Sequence, residues 1–182
     1  MAGAPATGSS VPDRELSARQ REIVSVARAL LVEDGVEGLT LGRVAARLGI
    51  KPPSLYKHFA NKRELEAVLI AEGLEAFTQA LEWGGQGLAS IARAYRRFAL
   101  SNPQLYRLIT ERPLPRDLLP DGLEARAAAP IVAAAGDPDL ARAAWAFAHG
   151  MVQLELADRF PPDADLDPAW TKAIEAFEAA AR

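Results

Sequence analysis

Apolar residues recur along this chain every three or four positions, and no stretch alternates apolar with polar residues long enough to make a convincing strand. The predicted fold class is all-α. Ser17 followed by Gln20 has the form of a capping box, and beyond it Ile23, Ala27, Leu30 and Leu31 make one apolar stripe that ends near Gly35. Thr40 caps a second, short helix that carries Val44, Ala45 and Leu48 and is stopped by Gly49. Asn61 with Glu64 opens a longer helix running to about Trp83. GGQG at 84–87 interrupts the pattern, because each interior glycine costs a helix about 1 kcal/mol relative to alanine. Downstream, Asn102-Pro103, Asp137-Pro138 and Asp167-Pro168 each set a capping side chain before a proline at the first helical position, where its missing N–H does no harm. With further helices at about 88–101 and about 117–135, the latter bent at Pro130, the C-terminal region holds five helices.

These signals divide the chain. Residues 1–16, small, polar and proline-containing at their start, read as a disordered leader. Residues 17–63 form an N-terminal three-helix domain, joined through a connecting helix at 61–83 to a C-terminal helical domain at 84–182. There is no internal repeat.

Within the N-terminal domain, two short helices joined by a tight glycine turn make a helix-turn-helix. Val44 and Leu48 bury the face of the first helix, Ala45 is small where the helices cross, and Gly49 permits a left-handed turn. Ile50, Leu55 and Phe59 complete the core from the second helix. The other face of that helix presents Lys51, Ser54, Lys57 and His58 to a major groove, with Tyr56 and Lys62 available to phosphates. An ordinary helical hairpin with a solvated basic face is the alternative, and it explains most isolated matches of this length. Charge distribution favours DNA. The net charge of −3 conceals ten Lys/Arg against six Asp/Glu in residues 1–63, and eleven against eighteen in 64–182.

The run DGVEGLTLGRVAARLGIKPPSLYKHFANKRELEAVLI resembles the DNA-binding domain of the tetracycline-repressor (TetR) family of transcriptional regulators, whose hallmark is G-[VI]-x-x-x-x-[LI]-Y-x-[HY]-F-x-[NS]-K-x-x-L. Gly49, Leu55, Tyr56, His58, Phe59, Asn61, Lys62 and Leu65 all fall in register, and the resemblance spans about residues 18–75. It implies that Thr40 and Arg43 on the second helix, Tyr56 and His58 on the third, and Lys62 at the start of the fourth contact double-stranded DNA, mostly its backbone. Two positions depart from the family. Gly42 stands where many relatives have a basic or polar residue, and Pro52 where some place a base-reading side chain. Direct readout then falls to Lys51, Ser54 and Lys57, while the leading prolines preorganise the first turn.

The helix after Asp137-Pro138 carries two apolar stripes, Leu140, Ala144, Phe147, Met151 and Leu154 on one side and Trp145, His149, Val152 and Leu156 on the other. The last helix offers Trp170, Ile174 and Phe177 beside it. Paired with the same two helices of a second copy, these make a four-helix homodimer interface, the mode in which TetR relatives dimerise. Burial of the helix within its own subunit is the alternative. A two-fold dimer reads two half-sites and so prefers a near-palindromic operator.

WAFAHG at 145–150 resembles the Trp-x-x-x-His-Gly signature of one TetR C-terminal subgroup. His149 is either a core residue satisfied by a hydrogen bond or a polar anchor in a ligand pocket. In the second case Tyr95, Phe98, Tyr106, Trp145 and Phe147 are candidate walls, with Arg107 and Gln153 as further anchors. The family implies an apolar or amphipathic small-molecule effector that shifts the two DNA-binding heads out of register.

Other chemistries have little to build on. The chain has no cysteine and two histidines, so thiol chemistry is excluded and a transition-metal site is poorly supplied. No glycine-rich phosphate loop is present, and no cofactor is implied. An enzyme would have to rest on His149 with Glu155 or Asp158, and nothing marks a nucleophile. No apolar run approaches the roughly 18 residues of a membrane span, and the N-terminus has no signal-peptide pattern, which leaves the cytoplasm as the default. The sequence thus points to a ligand-responsive regulator, a repressor released from its operator by an effector. The rival is a DNA-binding dimer without a small-molecule ligand, constitutive or governed by a protein partner.

Overall fold

The computed structural model describes residues 15–181, which form nine α-helices and one 3-10 turn, with no strand among them. Of the predicted leader, residues 1–14 lie outside the described residues. The described residues pack into two compact units, one comprising those up to Gly73 together with Arg107–Leu123, the other Leu74–Tyr106 and those from Glu124 on. The division falls inside the connecting helix, eleven residues before the GGQG segment begins, and the stretch 107–123 goes with the first unit.

The first unit is the head. Its helix α1 (Ala18–Gly38) starts at a complete capping box: Gln20 N donates to the Ser17 hydroxyl at 3.2 Å, and Ser17 N donates to Gln20 Oε1 at 3.0 Å. Ile23, Val24, Ala27, Leu30 and Leu31 are its buried stripe, and Gly35, at φ 70°, breaks the helical path where the sequence pattern ends. Helix α2 (Leu41–Arg47) is capped by the Thr40 hydroxyl, which accepts from Arg43 N at 3.3 Å. It closes at Gly49, whose φ of 66° lets Ile50 N reach the Ala45 carbonyl at 3.0 Å and Gly49 N the Ala46 carbonyl at 3.1 Å, the two bonds of a Schellman closure. Helix α3 (Pro52–Leu55) follows, and α2 packs against both α1 and α3. Val44, Ala45, Leu55 and Phe59 are buried as the helix-turn-helix pattern requires, whereas Leu48 and Ile50 are half-buried. Helix α4 (Lys62–Trp83) begins with reciprocal bonds, Glu64 N to Asn61 Oδ1 at 3.0 Å and Ala60 N to Glu64 Oε2 at 2.8 Å.

The second unit is built around α5 (Leu88–Ser101), α8 (Pro138–Leu156) and α9 (Asp167–Ala180), which pack on one another pairwise. Helix α5 buries Leu88, Ile91, Ala92, Tyr95, Phe98 and Ala99, a stripe at three- and four-residue spacing. Helix α6 (Pro103–Thr110) and helix α7 (Leu123–Ala135) lie between them in the chain. Three local readings are corrected. The alanine-rich helix starts at Leu123 rather than near 117: Arg116–Leu118 form only a 3-10 turn, Leu119 before Pro120 is extended, and Gly122 has φ 71°. Asp137 caps α8 as expected, accepting from Asp139 N and Leu140 N, but Asp167 does not cap α9, whose N-cap is Leu166. The Asp167 carboxylate is drawn instead to Arg96 on α5, at 2.6 Å. The Asn102 amide likewise serves α5, donating to the Phe98 carbonyl at 3.0 Å.

Candidate nucleic-acid interface and the polar core of the second unit

On the head, the short α3 places Lys51, Pro52, Pro53 and Ser54 at the surface while Leu55 anchors it from beneath. The two prolines occupy the first helical turn, where φ near −65° is already the helical value, so this turn is stiff before any ligand arrives. Tyr56 and Lys57 follow on the exposed side, and His58 is half-buried. Among the described residues, Lys51 and Lys57 have no carboxylate at ion-pair distance.

Other cations of the head are already engaged. Arg43 holds Asp34 at 2.5 Å and the Gly38 carbonyl at 3.2 Å, Arg47 holds Glu33 at 2.8 Å, and Lys62 lies 3.2 Å from Glu66. The hydrogen bond from Arg47 holds the Glu33 carboxyl below its ordinary range, and Glu33 in turn raises Arg47. Both groups are at the surface, so the pair contributes little to stability. Arg63 pairs with Asp117 in the same way, lowering the Asp117 carboxyl.

Gln20 has a positioning role beyond its cap. Gln20 Nε2 donates to the His58 carbonyl at 3.1 Å, tying the start of α1 to the end of the recognition segment. Its Oε1 meanwhile completes the capping box. The available signal was the choice of Gln over Glu, since a carboxylate could cap but could not also donate.

In the second unit, five of the eight residues proposed for a pocket do come together. The Tyr95 and Tyr106 hydroxyls, both buried, share a 2.7 Å hydrogen bond, and the Tyr106 hydroxyl lies 2.7 Å from His149 Nδ1. Phe98 joins through Phe77, edge-on to both Phe98 and Tyr95 at centroid distances of 5.3 and 5.2 Å, and Trp145 stands 6.2 Å from the His149 ring. Burial pushes Tyr95 up to about 12, against the opposing pull of its hydrogen bonds to Tyr106 and Trp145. Phe147 and Arg107 make other contacts, and Gln153 follows His149 by one turn of α8. Phe147 packs with Trp170 and Phe177 at 5.4 and 5.9 Å, Arg107 belongs to the head's segment with Glu111 at 3.7 Å, and Gln153 is half-buried on the same face of α8 as His149.

The tyrosines of the cluster are buried, while His149 is half-buried and Trp145 is 48% exposed. The cavity beside Tyr95 and Trp145 measures about 20 Å³, room for about one water. A larger opening, about 600 Å³, lies between α5 and α9, lined by Arg93, Arg96, Arg97, Leu100, Trp170 and Ile174 among others. At its edge Arg96 bonds Glu155 at 2.9 Å and lies over the Trp170 ring at 5.6 Å, while Trp170 Nε1 donates to Glu155 at 2.9 Å. Nothing in the spacing along the chain marks this network, because its members come from three helices.

The residues expected at a dimer interface divide in two. Ala144, Trp170 and Ile174 are buried within their own chain, because that side of α8 and α9 faces α5. Leu140, Met151 and Phe177 are half-buried and Leu154 is 43% exposed. Those four keep surface to offer.

Residues 23–69 match the family of bacterial regulatory proteins designated tetR, and residues 88–177 match the tetracyclin repressor-like C-terminal domain. An uncharacterized HTH-type transcriptional regulator of Mycobacterium tuberculosis, Rv0681, is 29% identical over 189 residues, covering 94% of this chain and 86% of its own. Another, YobS of Bacillus subtilis, is 32% identical over 93 residues, 48% of this chain; this chain spans only 49% of that relative's length. Among solved structures, SCO4313 is similar at a TM-score of 0.71 and 26% identity, over 87% of this chain and 94% of that one. No described helix is long and apolar enough to cross a membrane. With both halves matched in chain order, and a helix-turn-helix of the required geometry in the first, this chain belongs to the TetR family of DNA-binding transcriptional regulators, which are not enzymes.

Proposed function

We propose that the protein is a repressor that binds a near-palindromic operator as a homodimer, in the cytoplasm, and is released by a small apolar or amphipathic effector. The observation that carries the DNA reading is the recognition turn itself. Lys51, Ser54 and Lys57 stand exposed on a proline-stiffened helix whose underside is anchored by Leu55, so they meet base edges without loss of backbone order. Thr40, Arg43, Tyr56, His58 and Lys62 take the backbone contacts that the family pattern assigns to them. Arg43 and Lys62 exchange part of their pairing with Asp34 and Glu66 for phosphate.

Dimerisation runs through α8 and α9, with Leu140, Met151, Leu154 and Phe177 across the two-fold and Ala144, Trp170 and Ile174 supporting them from behind. The effector enters at the Tyr95, Tyr106, Trp145 and His149 cluster. Selection of bound sequences from random DNA tests the whole reading: a palindrome supports it, and enrichment of a single half-site without symmetry refutes the dimer. Lys57→Ala is expected to relax base preference, while Lys62→Ala weakens binding to all sequences and lowers the salt slope by about one.

One observation favours the ligand-free alternative. The cavity that Tyr95 and Trp145 line measures only about 20 Å³, so a drug-sized effector must widen it to bind there. Thermal-shift screening separates the two readings, since a true effector must raise the melting temperature and also change operator affinity.

A further inference from the structure

Two cations converge on one carboxylate oxygen in the head. Glu66 sits one turn into α4 with its side chain 15% exposed, and its Oε1 is out of water with no hydrogen-bond partner. Lys62 Nζ lies 3.2 Å from that oxygen, and Arg112, in the segment after α6, places its guanidinium 3.7 Å from the same atom. Both are ion pairs without hydrogen-bond geometry. Arg112 is anchored at its other terminal nitrogen by Glu37 at the end of α1.

We propose that Arg112 is a positioning residue for DNA binding: by sharing Glu66 with Lys62, it sets how freely Lys62 can leave for a phosphate. The inference rests on the reading that Lys62 meets the DNA backbone. A carboxylate removed from water needs a counter-charge, and leaving it alone is costly. With Arg112 in place, Glu66 stays compensated when Lys62 swings outward. Without Arg112, Lys62 is the one counter-ion left beside Glu66 among the described residues, and every phosphate contact it makes leaves the shielded Oε1 uncompensated. Arg112 itself touches no DNA in this scheme, so its effect must pass through Glu66 and vanish when Lys62 is gone.

A set of variants, each titrated with operator and random DNA across a range of salt, tests this. Arg112→Ala is expected to weaken binding to both DNAs by about threefold, the size of one exposed ion pair, and to lower the salt slope by a fraction of one. Arg112→Lys, which keeps the charge, is expected to retain wild-type affinity. Glu66→Gln releases Lys62 and is expected to bind at least as tightly as the parent, and to cancel the loss in the Arg112→Ala/Glu66→Gln double variant. In a Lys62→Ala background, Arg112→Ala is expected to change nothing. A loss from Arg112→Ala that survives undiminished in the Glu66→Gln or Lys62→Ala background overturns the sharing alone. An unchanged salt slope for Lys62→Ala overturns the phosphate role of Lys62 and the proposal with it. Arg112→Ala binding like the parent, with an unaltered melting temperature, also overturns it.

Discussion

In the head, the side chains that meet a ligand stand outside a small apolar core: Lys51, Ser54 and Lys57 are exposed around a buried Leu55. In the second unit the order is reversed, with the Tyr95 and Tyr106 hydroxyls and His149 linked at 2.7 Å inside a ring of aromatic side chains. The contrast separates two kinds of sensitivity. Surface cations act on a distant polyanion, are screened by salt, and contribute little to the fold. A buried hydroxyl chain is insulated from salt, but each of its members leaves another unsatisfied when removed.

The sharpest way to break the comparison is to show that the head's fold depends on its cations. Leu55→Ala is expected to cost about 3 kcal/mol through lost burial and a residual cavity, while Lys57→Ala stays within about 0.5 kcal/mol; denaturant titration measures both. In the second unit, Tyr95 holds its proton to about 12 when folded and to about 10 when unfolded. Between those values the unfolded chain binds fewer protons, so stability falls as pH rises, by about 3 kcal/mol in all, and Tyr95 adds no pH dependence below about 10. Comparing alkaline denaturation of the parent with that of Tyr95→Phe isolates this term; identical profiles would sink it. Tyr106→Phe strips the hydroxyl that joins Tyr95 to His149 and is expected to cost about 2 kcal/mol, visible as a lower melting temperature with unchanged affinity for random DNA. The smallest effect belongs to Gln20→Glu. It keeps the cap acceptor but loses the donor to His58, for about 1 kcal/mol and a loss of operator affinity larger than the loss on random DNA.

What the sequence made legible follows the same line between near and far. Ser17 with Gln20, Thr40, Gly49, Asn61 with Glu64, and Asp137 all act on backbone groups within four residues, and each does what its position along the chain announces. Asp167 announces the same role but sits near Arg96, and the ion pair takes its carboxylate. The helix expected from about 117 fails where Pro120 and Gly122 override the alanine-rich composition that follows. On α8 the periodicity shows two stripes without showing which one meets α5, and Phe147 packs with Trp170 and Phe177 rather than with the tyrosines. Glu66 and Arg112 are 46 residues apart by their numbers, and no local pattern could pair them.

All three tryptophans, Trp83, Trp145 and Trp170, lie in the second unit, at 81%, 48% and 6% exposure, and the head has none. Excited at a wavelength that spares tyrosine, the protein therefore emits from one unit only. A red-shifted, quencher-accessible component from Trp83 accompanies a blue, shielded one from Trp170 beneath the Arg96 guanidinium. Trp145, intermediate and beside His149, is the natural optical probe of anything that enters the tyrosine cluster, while a DNA-bound head stays dark.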